Sequence, residues 1–155
     1  MFSETQLDSA LDIHHELLVP HTKKKILLIN TGGVMGMERK EDGTSEMRPG
    51  FLKEQMESFP ENSSADMPDF DIIEFDPLIE SADVGPEEWQ KIAELVDVNY
   101  LLYDGFVVVM GTDTLAYSAC MLSFMLENLA KTVVFTASQL QISDVYTDAR
   151  RNLLV

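Results

Sequence analysis

The chain has 155 residues, 45% of them hydrophobic and 25% charged, which suits one ordinary domain with a core of its own and excludes a disordered segment. Its formal charge of −16, from 27 acidic against 11 basic residues, argues against a nucleic-acid-binding module, whose phosphate contacts need lysine and arginine. No stretch has the length of a membrane span, the first residues lack the basic flank of a signal peptide, and the single cysteine, Cys120, leaves no disulfide framework, so the expected compartment is the cytoplasm.

Residues 1–22 read as an N-terminal extension, in which "TQLDSALDIHHELL" has the spacing of a short amphipathic helix ended by Pro20. All three histidines (His14, His15 and His21) fall there, so any mechanism built on histidine has to recruit this tail. The cluster "KKK" at 23–25 reads as the solvated start of a strand. From there to residue 155 strand and helix signals alternate. "KILLIN" is a continuous apolar run, as a strand covered on both faces requires. "MGMERKEDGTSEMRPG" is polar and turn-rich, a mobile loop or hairpin, and "FLKEQMESF" has helical spacing. A second strand is predicted at Asp71–Phe75. Gly85 and Pro86 then open a helix running to Tyr100, with two acids at the positive end of its dipole and Trp89, Ile92, Leu95 and Val96 on one face.

"GFVVVM" is the third strand. The next helix, "TLAYSACMLSFMLENL", is predicted to bury a stripe of Leu115, Ala119, Leu122, Met125, Leu126 and Leu129. "TVVFTAS" is the fourth strand and "TDARRNLLV" begins another helix. The alternation gives an α/β three-layer sandwich with a mainly parallel sheet, flavodoxin-like in its layering. A receiver-like signalling domain is a poorer fit, because its acidic pair after the first strand is replaced by Asn30 and Thr31.

Ligands of parallel α/β sheets bind outside the carboxyl ends of the strands. Thr31 follows the first strand, Ser81 and Asp83 the second, and Thr112 and Asp113 the third, so three strand exits offer hydroxyls and carboxylates to one edge. In "TGG", Gly32 and Gly33 let the backbone approach a ligand and present successive amides to an anion, or else make a tight turn with a capping threonine. Neither a dinucleotide fingerprint nor a phosphate loop fits, for want of a third glycine at the right spacing and of a following Gly-Lys-Ser/Thr. In "GTDT", Gly111, Thr112, Asp113 and Thr114 stand where a helix needs one capping side chain, so two are left over. Asp113, held ionised by the helix dipole, suits a substrate ammonium, and Thr112 is a nucleophile only if a base stands near. Lys131 belongs at the opposite edge of the sheet.

Taken in order, "NTGGVMGM", "PLIESADVGPEEW", "DGFVVVMGTDTLAYSACMLSFMLENLAKTVVFTASQ" and "YTDARRNLL" resemble the N-terminal domain of type I, cytosolic L-asparaginases, from about Lys24 to the end. Within that family the resemblance points to the eukaryotic members, some of them described with lysophospholipase activity. The resemblance implies hydrolysis of L-asparagine to L-aspartate and ammonia without metal or organic cofactor. It assigns Thr31 as nucleophile, Thr112 as second catalytic threonine, Asp113 to the α-ammonium and Ser81 to the α-carboxylate, with Gly32 and Gly111 lining the substrate. It also implies a homo-oligomer in the complete protein. Several positions depart from the family pattern. Met110 replaces a usual histidine, Val34 a usual threonine three places after Thr31, and Thr44 falls near a tyrosine of many bacterial members; Ala149 and Arg151 alter the last helix start. The family's catalytic lysine and C-terminal domain correspond to positions beyond residue 155, so the expectation is a fragment or short product. The alternative is a non-catalytic truncated domain that binds small amino acids or a full-length partner.

Overall fold

In the computed structural model, residues 23–154 are described; the readings of residues 1–22 as a helical, histidine-bearing extension lie outside them. Four strands, β1 (Lys25–Asn30), β4 (Asp69–Glu74), β5 (Gly105–Val109) and β6 (Thr132–Thr136), form one fully parallel sheet in the order β4-β1-β5-β6. The remaining two, β2 (Met37–Arg39) and β3 (Ser45–Met47), make an antiparallel hairpin after the first strand, which resolves the choice between loop and hairpin.

Alternation along the strands sends side chains to two cores, giving three layers. Leu28 and Val109 face one core, beneath helices α1 (Phe51–Glu57) and α4 (Ala149–Leu154), where Leu52, Met56 and Ala149 close it. Leu27, Ile29, Phe106 and Val108 face the other, beneath α2 (Pro86–Val98) and α3 (Leu115–Met125), against Ile92, Val96 and Leu122. Helix α2 starts as its sequence predicts: Pro86 fills the first turn and the Glu88 carboxylate accepts the Gly85 N–H at 2.8 Å. The Trp89 indole N–H donates to Ser118 Oγ at 2.9 Å and ties α2 to α3.

Some expected boundaries shift. The second strand of the sequence begins at Asp69, two residues early, and the helix before it ends at Glu57. The predicted stripe on α3 is corrected more substantially. Leu122 is buried, but Met125 and Leu129 are exposed, and the buried companion of Leu122 is Ser118. Tyr117 and Phe124 are 68% and 77% exposed. This helix has no charged residue and is apolar all round, so its composition cannot mark which side meets the sheet. No helix among the described residues is long and apolar enough to cross a membrane.

Candidate functional site

Because β1 lies between β4 and β5, the carboxyl ends of these three strands are neighbours, and the chain laces them together through its backbone. The Thr31 N–H donates to the Val109 carbonyl at 2.9 Å, and the Ile79 N–H donates to the Thr31 carbonyl at 2.8 Å. Close approach depends on missing side chains. A Cβ on Gly33 (φ 91°) would lie 2.5 Å from Gly111 N, and a Cβ on Gly111 would lie 2.4 Å from Ser81 Oγ. Gly33, Gly111 and Ser81 therefore stack directly, one from each strand exit.

On this stack sits the polar group. Ser81, buried in the short 3₁₀ turn Ser81–Asp83, donates its hydroxyl to Asp113 Oδ2 at 2.9 Å and accepts the Asp113 N–H at 3.2 Å. Thr114 Oγ1 donates to the Ser81 carbonyl at 2.6 Å. The three candidate caps of "GTDT" thus leave the helix uncapped by side chains. Thr114 and Asp113 are spent on the Ser81 turn, and Thr112 is exposed. No lysine or arginine among the described residues makes an ion pair with Asp113. One of its oxygens is bonded by Ser81, and the other can accept a cationic hydrogen-bond donor. Asp83 is exposed, and among the described residues no hydrogen bond joins its side chain to Ser81 or Asp113.

Thr31 joins the group only through its backbone. The residue is 1% exposed, and its hydroxyl donates to the Val109 carbonyl at 3.3 Å. The amides of the glycine turn are engaged as well: Gly32 N donates to Asn30 Oδ1 at 3.1 Å, and Gly33 N donates to the thioether of Met47 at 3.3 Å. The open anion cradle expected of the two glycines is thus filled from within the chain, one of its acceptors being a weak sulfur. Thr44 is exposed on the hairpin turn, bonded to Asp42 at 2.6 Å. Lys131 is at the opposite end of the sheet, donating to the Tyr100 carbonyl and, at 2.6 Å, to that of Tyr103. No group of three histidine, cysteine, aspartate or glutamate side chains among the described residues is placed to hold a metal ion.

Sequence reasoning missed Asn30, Glu74 and Met47 as parts of the site, and it singled out Thr114 only as a helix cap. Asn30 is 1% exposed, and its Nδ2 donates to Glu74 Oε1 at 2.9 Å, the two residues being paired in register on adjacent strands. A signal existed: each is the one polar residue that closes an otherwise apolar run, "ILLIN" and "IIE".

The family model described as "Asparaginase, N-terminal" matches residues 25–155. L-asparaginase 1 of Escherichia coli (strain K12) is 48% identical over 132 residues, covering 85% of this chain and 39% of that protein. The 60 kDa lysophospholipase of Mus musculus is 39% identical, over 85% of this chain and 27% of its own. Among solved structures, L-asparaginase I of Vibrio cholerae superposes with a TM-score of 0.79 at 44% identity, covering 86% of this chain and 39% of that one. The chain spans about two fifths of the L-asparaginase relatives it matches, or less in the lysophospholipase.

Proposed function

This chain belongs to the asparaginase family through that family's N-terminal domain, and from that premise we propose that its described residues form the amino-acid-holding wall of an amidohydrolase acting on L-asparagine. The Ser81–Asp113 pair carries the reading. The free oxygen of Asp113 accepts the substrate α-ammonium, a charge-assisted bond in a place where no lysine or arginine among the described residues pairs with it. Ser81 keeps the Asp113 N–H as donor to its oxygen and can turn its own hydroxyl to the α-carboxylate. Gly111 contributes by leaving room for Ser81, and Gly32 by turning the chain.

Of the two threonines, Thr31 is the nucleophile of this reading, its hydroxyl leaving the Val109 carbonyl to attack the amide, and Thr112, exposed beside the amino-acid clamp, is the second catalytic threonine. The reading extends to a cytoplasmic protein that assembles as a homo-oligomer, for which the exposed apolar side of α3 offers surface.

A second reading, binding without hydrolysis, is favoured by the burial of the Thr31 hydroxyl and by Val34 in place of the family's threonine. One experiment separates the two. On the complete protein, calorimetric titration with L-aspartate and ammonia release from L-asparagine are measured for wild type, Thr31→Val and Thr112→Val. Hydrolysis predicts release that Thr31→Val abolishes and Thr112→Val lowers steeply, with L-aspartate binding retained. Binding alone predicts an L-aspartate isotherm with no ammonia from any form. Absence of an isotherm together with absence of ammonia overturns both.

A further inference from the structure

Glu74 is the point where the glycine turn and the hairpin meet. Its Oε1 accepts Asn30 Nδ2 at 2.9 Å, and its Oε2 accepts the N–H of Gly50 at 2.6 Å. Asn30 in turn accepts the Gly32 N–H on its Oδ1 at 3.1 Å. Gly50 has φ 81° and lies where the chain leaves the hairpin to begin α1. A single line of hydrogen bonds thus runs from the Gly32 amide, through Asn30 and Glu74, to the Gly50 amide. Asn30 is buried, so neither end of its side-chain amide finds water as a substitute partner.

The directions are forced. Gly32 and Gly50 are both donors. The two side chains between them must present an acceptor outward at each end and one donor–acceptor pair in the middle. An amide and a carboxylate satisfy this; two amides or two carboxylates do not. We propose that Asn30 and Glu74 are positioning residues, a relay that sets the Gly32 turn according to the seating of the hairpin and thereby holds the amino-acid site in its binding geometry. The functional part of this statement rests on the amino-acid-binding reading above. The relay itself does not.

The hairpin is held to the glycine turn on its other side too, by the Met47 thioether on Gly33 N. Farther out, Gln141 bonds Ser45, and Arg39 pairs with Asp144 at 3.1 Å. Movement of the hairpin therefore reaches the turn by two routes, and the Asn30–Glu74 route is the one that ends on a strand residue rather than on a flexible thioether.

The test uses polarity reversal. In Glu74→Gln, one end of the new amide meets a donor, so either Gly50 or Asn30 loses its acceptor. In Asn30→Asp, two carboxylate oxygens face each other. The double variant Asn30→Asp/Glu74→Gln restores every partner. Its carboxylate, now on β1, accepts from Gly32 and from the amide now on β4, and the carbonyl of that amide accepts from Gly50. Amide hydrogen exchange at Gly32 and Gly50 in the ligand-free complete protein, and L-aspartate affinity, are read in all four forms.

Each single variant is expected to speed exchange at both glycines and to weaken L-aspartate about tenfold, and the double variant to return both readings to within about threefold of wild type. Exchange at Gly32 that ignores Glu74→Gln, or a double variant no better than the singles, overturns the relay. Should a single variant fail to fold, the double variant still decides it. Exchange restored in the double variant while no form binds L-aspartate leaves the relay standing and overturns the amino-acid-binding reading and its functional part.

Discussion

At the amino end of the sheet, Lys23, Lys24 and Lys25 each meet a carboxylate, on Asp69, Asp104 and Asp71, at 2.8–2.9 Å and largely in solvent. At the carboxyl end the strands meet through the buried stack of Gly33, Gly111 and Ser81, and among the described residues no lysine or arginine pairs with the carboxylate of Asp113. The same four strands thus carry matched charge at one end and an unmatched carboxylate on a backbone-built floor at the other. Paired surface charges hold little and recognise nothing, whereas an unpaired carboxylate fixed by a buried hydroxyl is a ready acceptor for a ligand's cation. Acidity in this chain therefore has two uses, and only the geometry separates them.

The largest expected effect breaks the floor. Gly33→Ala adds a Cβ 2.5 Å from Gly111 N on a residue with φ 91°, and should cost roughly 3 kcal/mol or more of unfolding free energy. Gly105→Ala, at the amino end, meets only the Thr132 carbonyl at 3.4 Å and should change stability by less than about 1 kcal/mol. Denaturant unfolding of both variants of the complete protein checks the pair, and similar costs would erase the distinction between the two ends.

The next effect concerns recognition. Asp113→Asn keeps an acceptor for Ser81 but removes the charge, so L-aspartate should bind about ten- to a hundredfold more weakly, roughly 1.5–3 kcal/mol, with the melting point nearly unchanged. Calorimetric titration measures it. Lys24→Met, which breaks a charge pair at the other end, should leave that affinity unaltered.

The smallest is a pH effect at the amino end. Hydrogen bonds from Lys25, then Tyr103, hold the Asp71 carboxyl below its ordinary value, and one from Lys24, then the Lys25 N–H, does the same for Asp104. Depressed carboxylates stabilise the fold above about pH 4, where the unfolded groups are ionised, and that stabilisation is lost as the pH falls through their lower folded values. Asp104→Asn should therefore cost no more than about 0.5 kcal/mol at pH 7 in moderate salt, and less at about pH 3. Unfolding curves at the two values check the sign. At the alkaline side, burial and the Asp71 bond raise the Tyr103 hydroxyl to about 12. Its contribution persists below about pH 10 and fades as the pH climbs through about 12.

The layers were legible in the sequence because "KILLIN" and "GFVVV" are unbroken apolar runs and the start of α2 carries proline and acids at fixed places. The strand from Asp69 was harder to bound, since its charged residues alternate with apolar ones and resemble a turn. On α3 the sequence offered too much signal: with apolar side chains in every direction, period alone cannot choose a buried face. At the site, the convergence of Ser81, Gly111 and Asp113 followed from their places after the strands. The sealing of Thr31 did not, because it depends on a carbonyl of β5, 78 residues away. Neither did the spending of Thr114 on Ser81, which a local capping rule assigns to its own helix.

The Gly33–Gly111–Ser81 stack has a consequence for how this protein can diverge. Gly33 and Gly111 have no rotamers to repack and meet only the small side chain of Ser81, so drift and selection find little there to adjust gradually. Variation in what the site accepts is channelled into the few side chains beside it, above all Thr112 and Asp113. A lineage can change its ligand by rewriting those positions while the spacing of the three strand ends stays a fixed inheritance.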